Sequence, residues 1–330
     1  MTLPQLDPVT LLDLQEPVRD RLVRVEHEMR RMIEADFPLI SEVNHHLLRM
    51  RGKMFRPTLA LLADEATGST GARGETFAAI IELIHLATLV HDDAVDHSAL
   101  RRGMPTINAL FSHQISVIMG DFLYSRAVVE LVQMADLEAL GVLGRVTNEM
   151  TVGEMRQLLA HDPLTFTEEQ YDLLIRAKTA SLISGACEVG GLGAPPAARQ
   201  ALAQFGAHLG TAFQIVDDLL DYTALAEVTG KPSGLDLREH KVTLPLIHAL
   251  PSFTTEQRRQ VDALMATAEP SEAQIASVIQ AVTTHGGLTY ARERASRIMA
   301  EADQALQALP PSPAREVLRA SLGFVLERRR

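Results

Sequence analysis

Two short segments of the chain repeat the acidic pattern D-D-x-x-D, each at the end of an apolar run. They occupy residues 92–96 and 217–221. In an α-helix, positions i and i+4 share a face, so the first and last aspartates of each segment point the same way. Two carboxylates at this spacing repel each other by roughly a few tenths of a kcal/mol. One copy is equally typical of a solvated acidic helix end, but two copies predict a cation between the carboxylates.

The oxygen ligands indicate which cation this is. Carboxylates are hard ligands that suit Mg²⁺, which takes one or two of them, keeps several waters and binds substrate phosphates. We therefore predict Mg²⁺ as the cofactor. The middle aspartates, Asp93 and Asp218, face sideways on the same helices, which is typical of a supporting or capping role.

Basic side chains that suit the phosphates of such a substrate are spread along the chain. They are Lys53, Arg56, Arg101, Arg102, Lys178, Lys231 and Lys241. Only four of the 31 basic residues are lysines, and all four belong to this set. A single basic residue is more often a surface charge, but the whole set predicts a diphosphate substrate. The P-loop and the dinucleotide-binding fingerprint are both missing from the sequence, so a nucleotide is not indicated.

The composition excludes several classes of protein. A net charge of −11 over 330 residues argues against nucleic-acid binding. One cysteine cannot form an internal disulfide, which indicates a reducing compartment. Aromatic residues make up 4% of the chain and tryptophan is missing, which favours helices over β-sheets. With no visible signal peptide and no apolar run long enough to span a bilayer, we expect a cytoplasmic protein without a transmembrane segment.

Apolar residues recur at helical spacing through almost the whole chain, and no alternating strand pattern is evident. The sequence Thr167-x-x-Gln170 is a capping box that predicts the start of a helix. The predicted helices cover residues 9–34, 57–66, 75–92, 107–132, 137–160, 167–190, 198–223 and 241–250.

Clusters of Gly and Pro interrupt this pattern only briefly, and the composition does not change between the halves of the chain. The sequence therefore predicts a single all-α domain over residues 1–330. Its motifs lie in residues 48–246, and a C-terminal helical tail occupies residues 251–330. We expect mobile connections at residues 251–275 and 305–316.

The order and spacing of the motifs resemble those of the trans-isoprenyl diphosphate synthases. Within them, the chain is most similar to long-chain polyprenyl diphosphate synthases such as the octaprenyl diphosphate synthases. The matching strings lie in residues 52–57, 81–93, 100–106, 120–123, 178–180, 213–221, 230–232, 236 and 241–245. The resemblance implies an isoprenoid synthase fold, with a central cavity between two Asp-rich helices, in a homodimer. It also implies a Mg²⁺-dependent prenyltransferase that condenses isopentenyl diphosphate head-to-tail onto an allylic diphosphate.

The resemblance further implies a role for each matching residue. The expected Mg²⁺ ligands are Asp92, Asp96, Asp217 and Asp221. The allylic diphosphate would be held by Arg101, Lys178, Thr179, Gln214, Lys231 and Lys241, and isopentenyl diphosphate by Lys53, Arg56, His85 and Arg102. Catalysis is assigned to Asp92, Asp96, Lys178 and Asp217. No side chain is assigned as a base, because the released diphosphate is expected to take the proton.

The helix that ends at Asp92 should form one wall of the product cavity. Ala87 and Thr88 lie one turn, about 5.4 Å, below Asp92. In the family, bulky aromatic residues at this level stop chain growth early, so two small residues imply a product longer than C20. The next layer contains Leu83, and Leu143 is a candidate for the floor. A farnesyl- or geranylgeranyl-type primer and a product used as a quinone side chain are expected.

Other functions of related proteins remain as alternatives. A geranylgeranyl diphosphate synthase would stop at a shorter product, and a non-catalytic subunit of a heteromeric synthase often lacks Asp motifs. A terpene cyclase usually pairs one Asp-rich motif with an Asn/Ser/Glu-type motif that this chain lacks. A head-to-head synthase of the squalene or phytoene type would not need the isopentenyl diphosphate site around Lys53 and Arg56.

Overall fold

Helices account for almost all regular structure in the part of the chain that the structure describes. The structure is a computed structural model, and it describes residues 9–50, 52–68, 72–159, 163–223 and 234–328. Lys231, which the resemblance places at the allylic diphosphate, lies outside the described residues.

The N-terminal half contains eight described helices. They are α1 (Leu11–Gln15), α2 (Arg19–Met32), α3 (Pro38–Arg49), α4 (Phe55–Ala66), α5 (Arg73–Val95), α6 (Ile107–Leu110), α7 (His113–Gln133) and α8 (Leu137–Leu159). The C-terminal half contributes α9 (Glu168–Ile175), α10 (Ser181–Gly190), α11 (Pro196–Thr223), α12 (Leu235–Arg238), α13 (Leu244–Ala249), α14 (Thr255–Ala266), α15 (Glu272–Thr284), α16 (Gly287–Leu306) and α17 (Pro313–Leu326). A π-helical segment, Arg176–Ala180, joins α9 to α10. The prediction of an all-α protein is confirmed.

Capping boxes fix the start of several helices. The box at Thr167 and Gln170 is present as predicted, with both reciprocal hydrogen bonds formed. A similar box at Thr254 begins α14, inside the segment that we expected to be a mobile connection. That expectation was wrong, because a Thr side chain that accepts from the third backbone N–H stabilises a helix even where the apolar pattern is weak.

One short hairpin departs from the expectation that strands are missing. Strand β1 (Leu100–Arg101) pairs antiparallel with β2 (Met104–Pro105). The two residues between them, Arg102 and Gly103, have φ angles of 53° and 75°. Positive φ at both central positions is the conformation that a tight two-residue hairpin turn requires. Strands of two residues carry no periodic signal, which is why the sequence pattern did not reveal them.

The two helices that carry the acidic motifs lie at the centre of the molecule. Helix α5 packs against α2, α4, α7 and α10, and α11 packs against α10 and α16. Side chains of α5 such as Ile80, Ile81 and Leu83 are fully buried. A second, smaller apolar cluster lies under the helices that follow α11. Within the described residues, no helix combines the length and apolar character needed to cross a membrane.

Candidate active site

Two cavities meet beside α5, and the side chains of Arg56 and His85 line both of them. The larger cavity has a volume of about 680 Å³ and the smaller one about 230 Å³. Of the predicted site residues, the larger cavity is lined by Ala87, Thr88, Asp92, Lys178 and Thr179. The smaller cavity is lined by Lys53, Arg56, His85 and Arg102. The structure therefore brings together the four residues expected at isopentenyl diphosphate, next to a separate cavity that begins at the first acidic motif.

Arg56 and His85, the two side chains that line both cavities, are joined by a hydrogen bond. Arg56 Nη1 donates to His85 Nε2 over 3.1 Å. A guanidinium has no acceptor, so the imidazole must present its lone pair at Nε2 and carry its proton on Nδ1. Burial, with the charges of Arg56 and Arg102, holds the pKa of His85 well below its ordinary value. His85 is therefore neutral at physiological pH.

The smaller cavity is lined by Arg56, whose buried Nε has no hydrogen-bond partner among the described residues. It is also lined by the carboxyl-bearing side chain of Glu82, which is 2% exposed. Burial raises the pKa of Glu82, and the charges of Arg56 and Arg102 act in the opposite direction. An unsatisfied buried polar group costs about 1–3 kcal/mol. The unpaired Nε–H of Arg56 is therefore a suitable donor for a ligand that has anionic oxygens.

Arg102 reaches this cavity because of the glycine at position 52. Its Nη1 donates to the carbonyl oxygen of Met50 over 2.8 Å. A Cβ at Gly52 would lie only 3.0 Å from Nη2 of Arg102. A Cβ at position 52 would therefore require the guanidinium to shift by a few tenths of an ångström.

In the first acidic motif, the aspartates differ in their surroundings. Asp92 is half-buried and lines the larger cavity, and Asp96 is exposed. Burial, together with the neighbouring carboxylates of Glu154 and Asp96, raises the pKa of Asp92 to about 6, while the charge of Lys178 acts in the opposite direction. Asp93 is buried and accepts from Nε of Arg101 at 2.9 and 2.8 Å. That pairing leaves only the terminal nitrogens of Arg101 for a substrate phosphate.

In the second acidic motif, the two outer aspartates accept hydrogen bonds from different parts of the protein. Asp217 Oδ1 accepts from Nη1 of Arg328 over 2.7 Å, and the Arg328 guanidinium lies 4.4 Å from the centre of the Phe213 ring. Asp221 accepts from the backbone N–H groups of residues 235 and 236 at 2.9 and 3.0 Å, where α12 begins. Both outer aspartates of this motif therefore already have donors within the protein.

Asp218, between them, belongs to a buried hydrogen-bond chain. It accepts from the hydroxyl of Tyr171 at 2.6 Å and from Nε2 of Gln214 at 2.8 Å. The Gln214 Oε1 in turn accepts from Thr179 over 2.8 Å. Burial raises the pKa of Asp218 to about 8. These hydrogen bonds fix the amide of Gln214 and the hydroxyl of Thr179, two groups expected at the allylic diphosphate.

The described lysines of the predicted site have different environments. Lys178 lies in the π-helical segment, where its ammonium contacts Glu154 at 2.7 Å. Lys241 contacts Glu239 at 2.6 Å, and Lys53 is exposed. Only Lys178 lines the larger cavity with Asp92.

Comparison with known proteins connects this geometry to a family. A family model described as Polyprenyl synthetase matches residues 37–282, a range that includes both acidic motifs and the residues Lys53, Arg56, Arg102 and Lys178 of the two cavities. The chain belongs to the polyprenyl synthetase family. It is a prenyltransferase, and the expectation of an isoprenoid synthase fold is confirmed.

Individual polyprenyl synthetases resemble the chain over nearly their whole length. The octaprenyl diphosphate synthase of Escherichia coli (strain K12) is 38% identical over 312 residues, which are 94% of this chain and 96% of that protein. The crystal structure of a decaprenyl diphosphate synthase from Rhodobacter capsulatus has a TM-score of 0.92 at 36% identity, covering 97% and 100% of the two chains. A polyprenyl synthase from Caulobacter crescentus CB15, crystallised with calcium and isoprenyl diphosphate, has a TM-score of 0.91 at 32% identity, covering 98% and 100%.

The carboxylates of this polyprenyl synthetase suit a divalent cation that is shared with a substrate. Within the described ranges, no three His, Cys, Asp or Glu side chains are gathered closely enough to hold a metal ion by themselves. Mg²⁺ usually takes one or two carboxylates and completes its shell with water and phosphate oxygens. The half-buried carboxylate of Asp92 has no hydrogen-bond or ion-pair partner among the described residues, so the donor set fits such an ion.

The wall of the larger cavity agrees only partly with the sequence-based expectation. Ala87 and Thr88 line it, as expected for residues one turn below Asp92. Leu83 and Leu143 are buried but do not line it. A role for Leu83 in chain length therefore stays a prediction. The opposite wall contains Tyr124, Gly144, Thr147, Asn148, Thr151 and Met155.

Several residues of the site were missed by sequence reasoning. Glu82, Glu154, Tyr171 and Arg328 all contact or face predicted site residues. Glu82 lies one turn before His85 on the same helix, a signal that was present in the sequence. Arg328 is 111 residues from Asp217, and no local pattern connects them.

Proposed function

We propose that this protein is a long-chain all-trans polyprenyl diphosphate synthase that requires Mg²⁺. It would add isopentenyl diphosphate repeatedly, head-to-tail, to a farnesyl- or geranylgeranyl-type allylic diphosphate. The observation that carries the proposal is the junction of two cavities at Arg56 and His85. One cavity is small and basic, and the other begins at an acidic motif and continues between mainly apolar walls. Two diphosphate substrates with adjacent reacting ends require such a pair.

Of the residues proposed to act on the allylic substrate, Asp92, Lys178 and Thr179 line the larger cavity. The carboxylates of Asp92, Asp96, Asp217 and Asp221 are proposed to hold Mg²⁺, which when bound neutralises charge on a departing diphosphate. Asp217 already accepts from Arg328 at its Oδ1. Arg101, Lys178, Thr179, Gln214, Lys231 and Lys241 are proposed to bind the oxygens of the allylic diphosphate.

In the smaller cavity, Lys53, Arg56, His85 and Arg102 are proposed to hold isopentenyl diphosphate. Because His85 donates only from Nδ1 while Nε2 accepts from Arg56, the imidazole fixes the guanidinium and adds no charge. The shared position of these two side chains then brings the double bond of isopentenyl diphosphate next to C1 of the allylic chain.

The reaction needs charge stabilisation and the exclusion of water. As the allylic C–O bond breaks, the bonding pair leaves with the diphosphate, where the basic side chains stabilise it. The double bond of isopentenyl diphosphate forms the new C–C bond, and a proton is lost to restore an alkene. The released diphosphate is the proposed acceptor of that proton. Apolar residues such as Ile84, Leu89 and Met150 keep water from the cation.

A product longer than C20 is supported by the small side chains below Asp92 and by the relatives, which are named for octaprenyl and decaprenyl products. A product of this length would suit the side chain of a quinone. We also propose that the chain forms one domain, because a single apolar cluster includes residues from Val18 to Val325.

A homodimer is proposed from the outer faces of α7 and α8. Large apolar side chains there are exposed to solvent, including Ile118, Val129, Val132 and Leu137. Exposed apolar patches are typical of an interface. Since α7 and α8 also supply one wall of the larger cavity, a second copy of the chain would cover that wall. Light scattering should give twice the mass of one chain.

The proposed function is tested with purified protein, labelled isopentenyl diphosphate, farnesyl diphosphate and Mg²⁺. The products are dephosphorylated and separated by chromatography. A series of products that ends beyond C20 is the expected result. A series that ends at C20 would identify a geranylgeranyl diphosphate synthase instead. No incorporation would contradict the proposal and favour a non-catalytic subunit.

Replacing Ala87 by phenylalanine should shorten the product. Ala87 is 2% exposed and lines the larger cavity, so a phenyl ring would fill space just over one turn below Asp92, about 7.5 Å along the helix axis. We expect products of C20 or shorter, measured by the same chromatography. Ala87→Val should give an intermediate length. If Ala87→Phe folds and leaves the product length unchanged, Ala87 does not form the cavity wall.

A further inference from the structure

Helix α8 supplies two side chains that hold the ammonium group of Lys178. Lys178 Nζ lies 2.7 Å from Glu154 Oε1 and donates to Gln157 Oε1 over 3.2 Å. The two acceptors are three residues apart, so they share one face of α8. Glu154 and Lys178 both line the larger cavity with Asp92. The ammonium is therefore held at the cavity wall by a carboxylate on one side and a neutral amide on the other.

The backbone of Lys178 is also close to α8, because residue 153 is a glycine. A Cβ added to Gly153 would lie 2.7 Å from Cβ of Ala177 and 3.5 Å from the backbone nitrogen of Lys178. Real Cβ atoms essentially never approach another atom more closely than 3.0 Å, so a side chain at position 153 would push the segment away. Gly153, Glu154 and Gln157 together form a seat for Lys178.

The segment that carries Lys178 has the geometry of a π-helix, Arg176–Ala180. A π-turn inserts an extra residue into a helix, and such turns occur frequently at functional sites. Here the consecutive residues Lys178 and Thr179 both line the larger cavity. A lysine side chain has many rotamers, so this backbone alone does not fix the position of its ammonium.

We propose that Glu154 is a positioning residue, which acts with Gln157 to hold Lys178 towards the diphosphate of the allylic substrate. This proposal rests on the proposed function. An ammonium that is already in place loses less conformational freedom when the substrate binds. The ammonium is held by one carboxylate and one neutral amide. A second carboxylate in place of the amide would add negative charge, and that charge would repel a diphosphate.

The kinetic test compares Glu154→Gln, Glu154→Ala and the matched control Glu149→Gln. Glu149 is an exposed residue of the same helix and lines a different cavity. We expect Glu154→Ala to reduce kcat/KM for farnesyl diphosphate by about tenfold, the size of a lost hydrogen bond to a charged group. Glu154→Gln should lose less. KM for isopentenyl diphosphate, the Mg²⁺ concentration for half-maximal rate and the melting temperature should not change, and Glu149→Gln should equal wild type.

A double-mutant cycle shows whether Glu154 acts through Lys178. If it does, Glu154→Ala should cause little further loss once Lys178 is alanine. Additive losses would contradict the proposal. A higher Mg²⁺ requirement in Glu154→Gln, with unchanged use of farnesyl diphosphate, would also contradict it and make Glu154 a metal ligand.

A binding measurement provides a readout that does not depend on turnover. Calorimetry with the unreactive thiolo analogue of farnesyl diphosphate and Mg²⁺ should show weaker binding to Glu154→Ala than to wild type, by about tenfold. Equal affinities would overturn the positioning role. This outcome is distinguishable from a failure of the proposed function. If the proposed function is wrong, the wild-type protein itself will incorporate no isopentenyl diphosphate.

Discussion

Replacing Asp92 by asparagine should reduce kcat/KM for farnesyl diphosphate by about 10³-fold, the upper range for one electrostatic group in an active site. Asparagine keeps the shape of the side chain and removes its charge. Asp92 is half-buried at the larger cavity, and its carboxylate has no ion-pair partner among the described residues. Its charge is therefore available to a metal ion, and the substitution should also raise the Mg²⁺ concentration needed for half-maximal rate.

The neighbouring substitution Asp93→Asn is the matched control. The Asp93 carboxylate is buried and paired with Arg101, so we expect its loss to lower the melting temperature and to reduce turnover by less than Asp92→Asn does. Labelled isopentenyl diphosphate incorporation and differential scanning calorimetry measure the two effects. Equal kinetic losses for the two substitutions, at equal stability, would show that Asp93 contributes as much to turnover as Asp92 does.

The sequence was sufficient for the parts of the site that depend on helix periodicity. The spacing of residues 92–96 predicts two carboxylates on one face, and a cation between them stays a prediction. Small residues about one turn earlier were expected in the cavity wall, and Ala87 and Thr88 line it. That inference uses only the geometry of one helix, which is the same in every protein.

Contacts between distant segments could not be predicted in the same way. Arg101 meets Asp93 only because a tight hairpin turns the chain at residues 102 and 103. Arg328 reaches Asp217 from the end of α17. The seat of Lys178 depends on a π-turn and on the close approach of another helix at Gly153. Each contact is set by tertiary packing, for which a single sequence without homologues gives no direct signal.

The charge balance shows how an acidic protein can bind polyanions. The net charge is −11, but the smaller cavity contains the side chains of Lys53, Arg56 and Arg102, with Glu82 as its buried carboxyl. Local charge decides binding there, because interactions across more than about 10 Å of solvent are largely screened at 0.1 M salt. The net charge therefore predicts little about this site.

Replacing Arg21 by methionine should destabilise the protein by about 3 kcal/mol, the lower end for a broken buried ion pair, because Glu75 keeps its contact with Arg24. The Arg21 guanidinium is buried and donates to Asp64 over 2.6 Å and to Glu75 over 3.1 Å. These bonds connect α2 to α4 and α5, the helices that carry Arg56 and Asp92. Gly74 provides the space, since a Cβ there would lie 2.5 Å from Arg21 Nη2.

The control is Arg19→Met, two residues earlier on the same helix. Arg19 is exposed and its contact with Glu16, at 3.5 Å, lies in solvent, where an ion pair contributes about 1 kcal/mol at most. Chemical denaturation of both variants should show a large loss for Arg21→Met and almost none for Arg19→Met. A triple variant with Asp64→Asn and Glu75→Gln should recover part of the stability, because the two carboxylate charges that faced the guanidinium are gone. If Arg21→Met alone were as stable as wild type, this buried cluster would not be what holds α2 against α4 and α5.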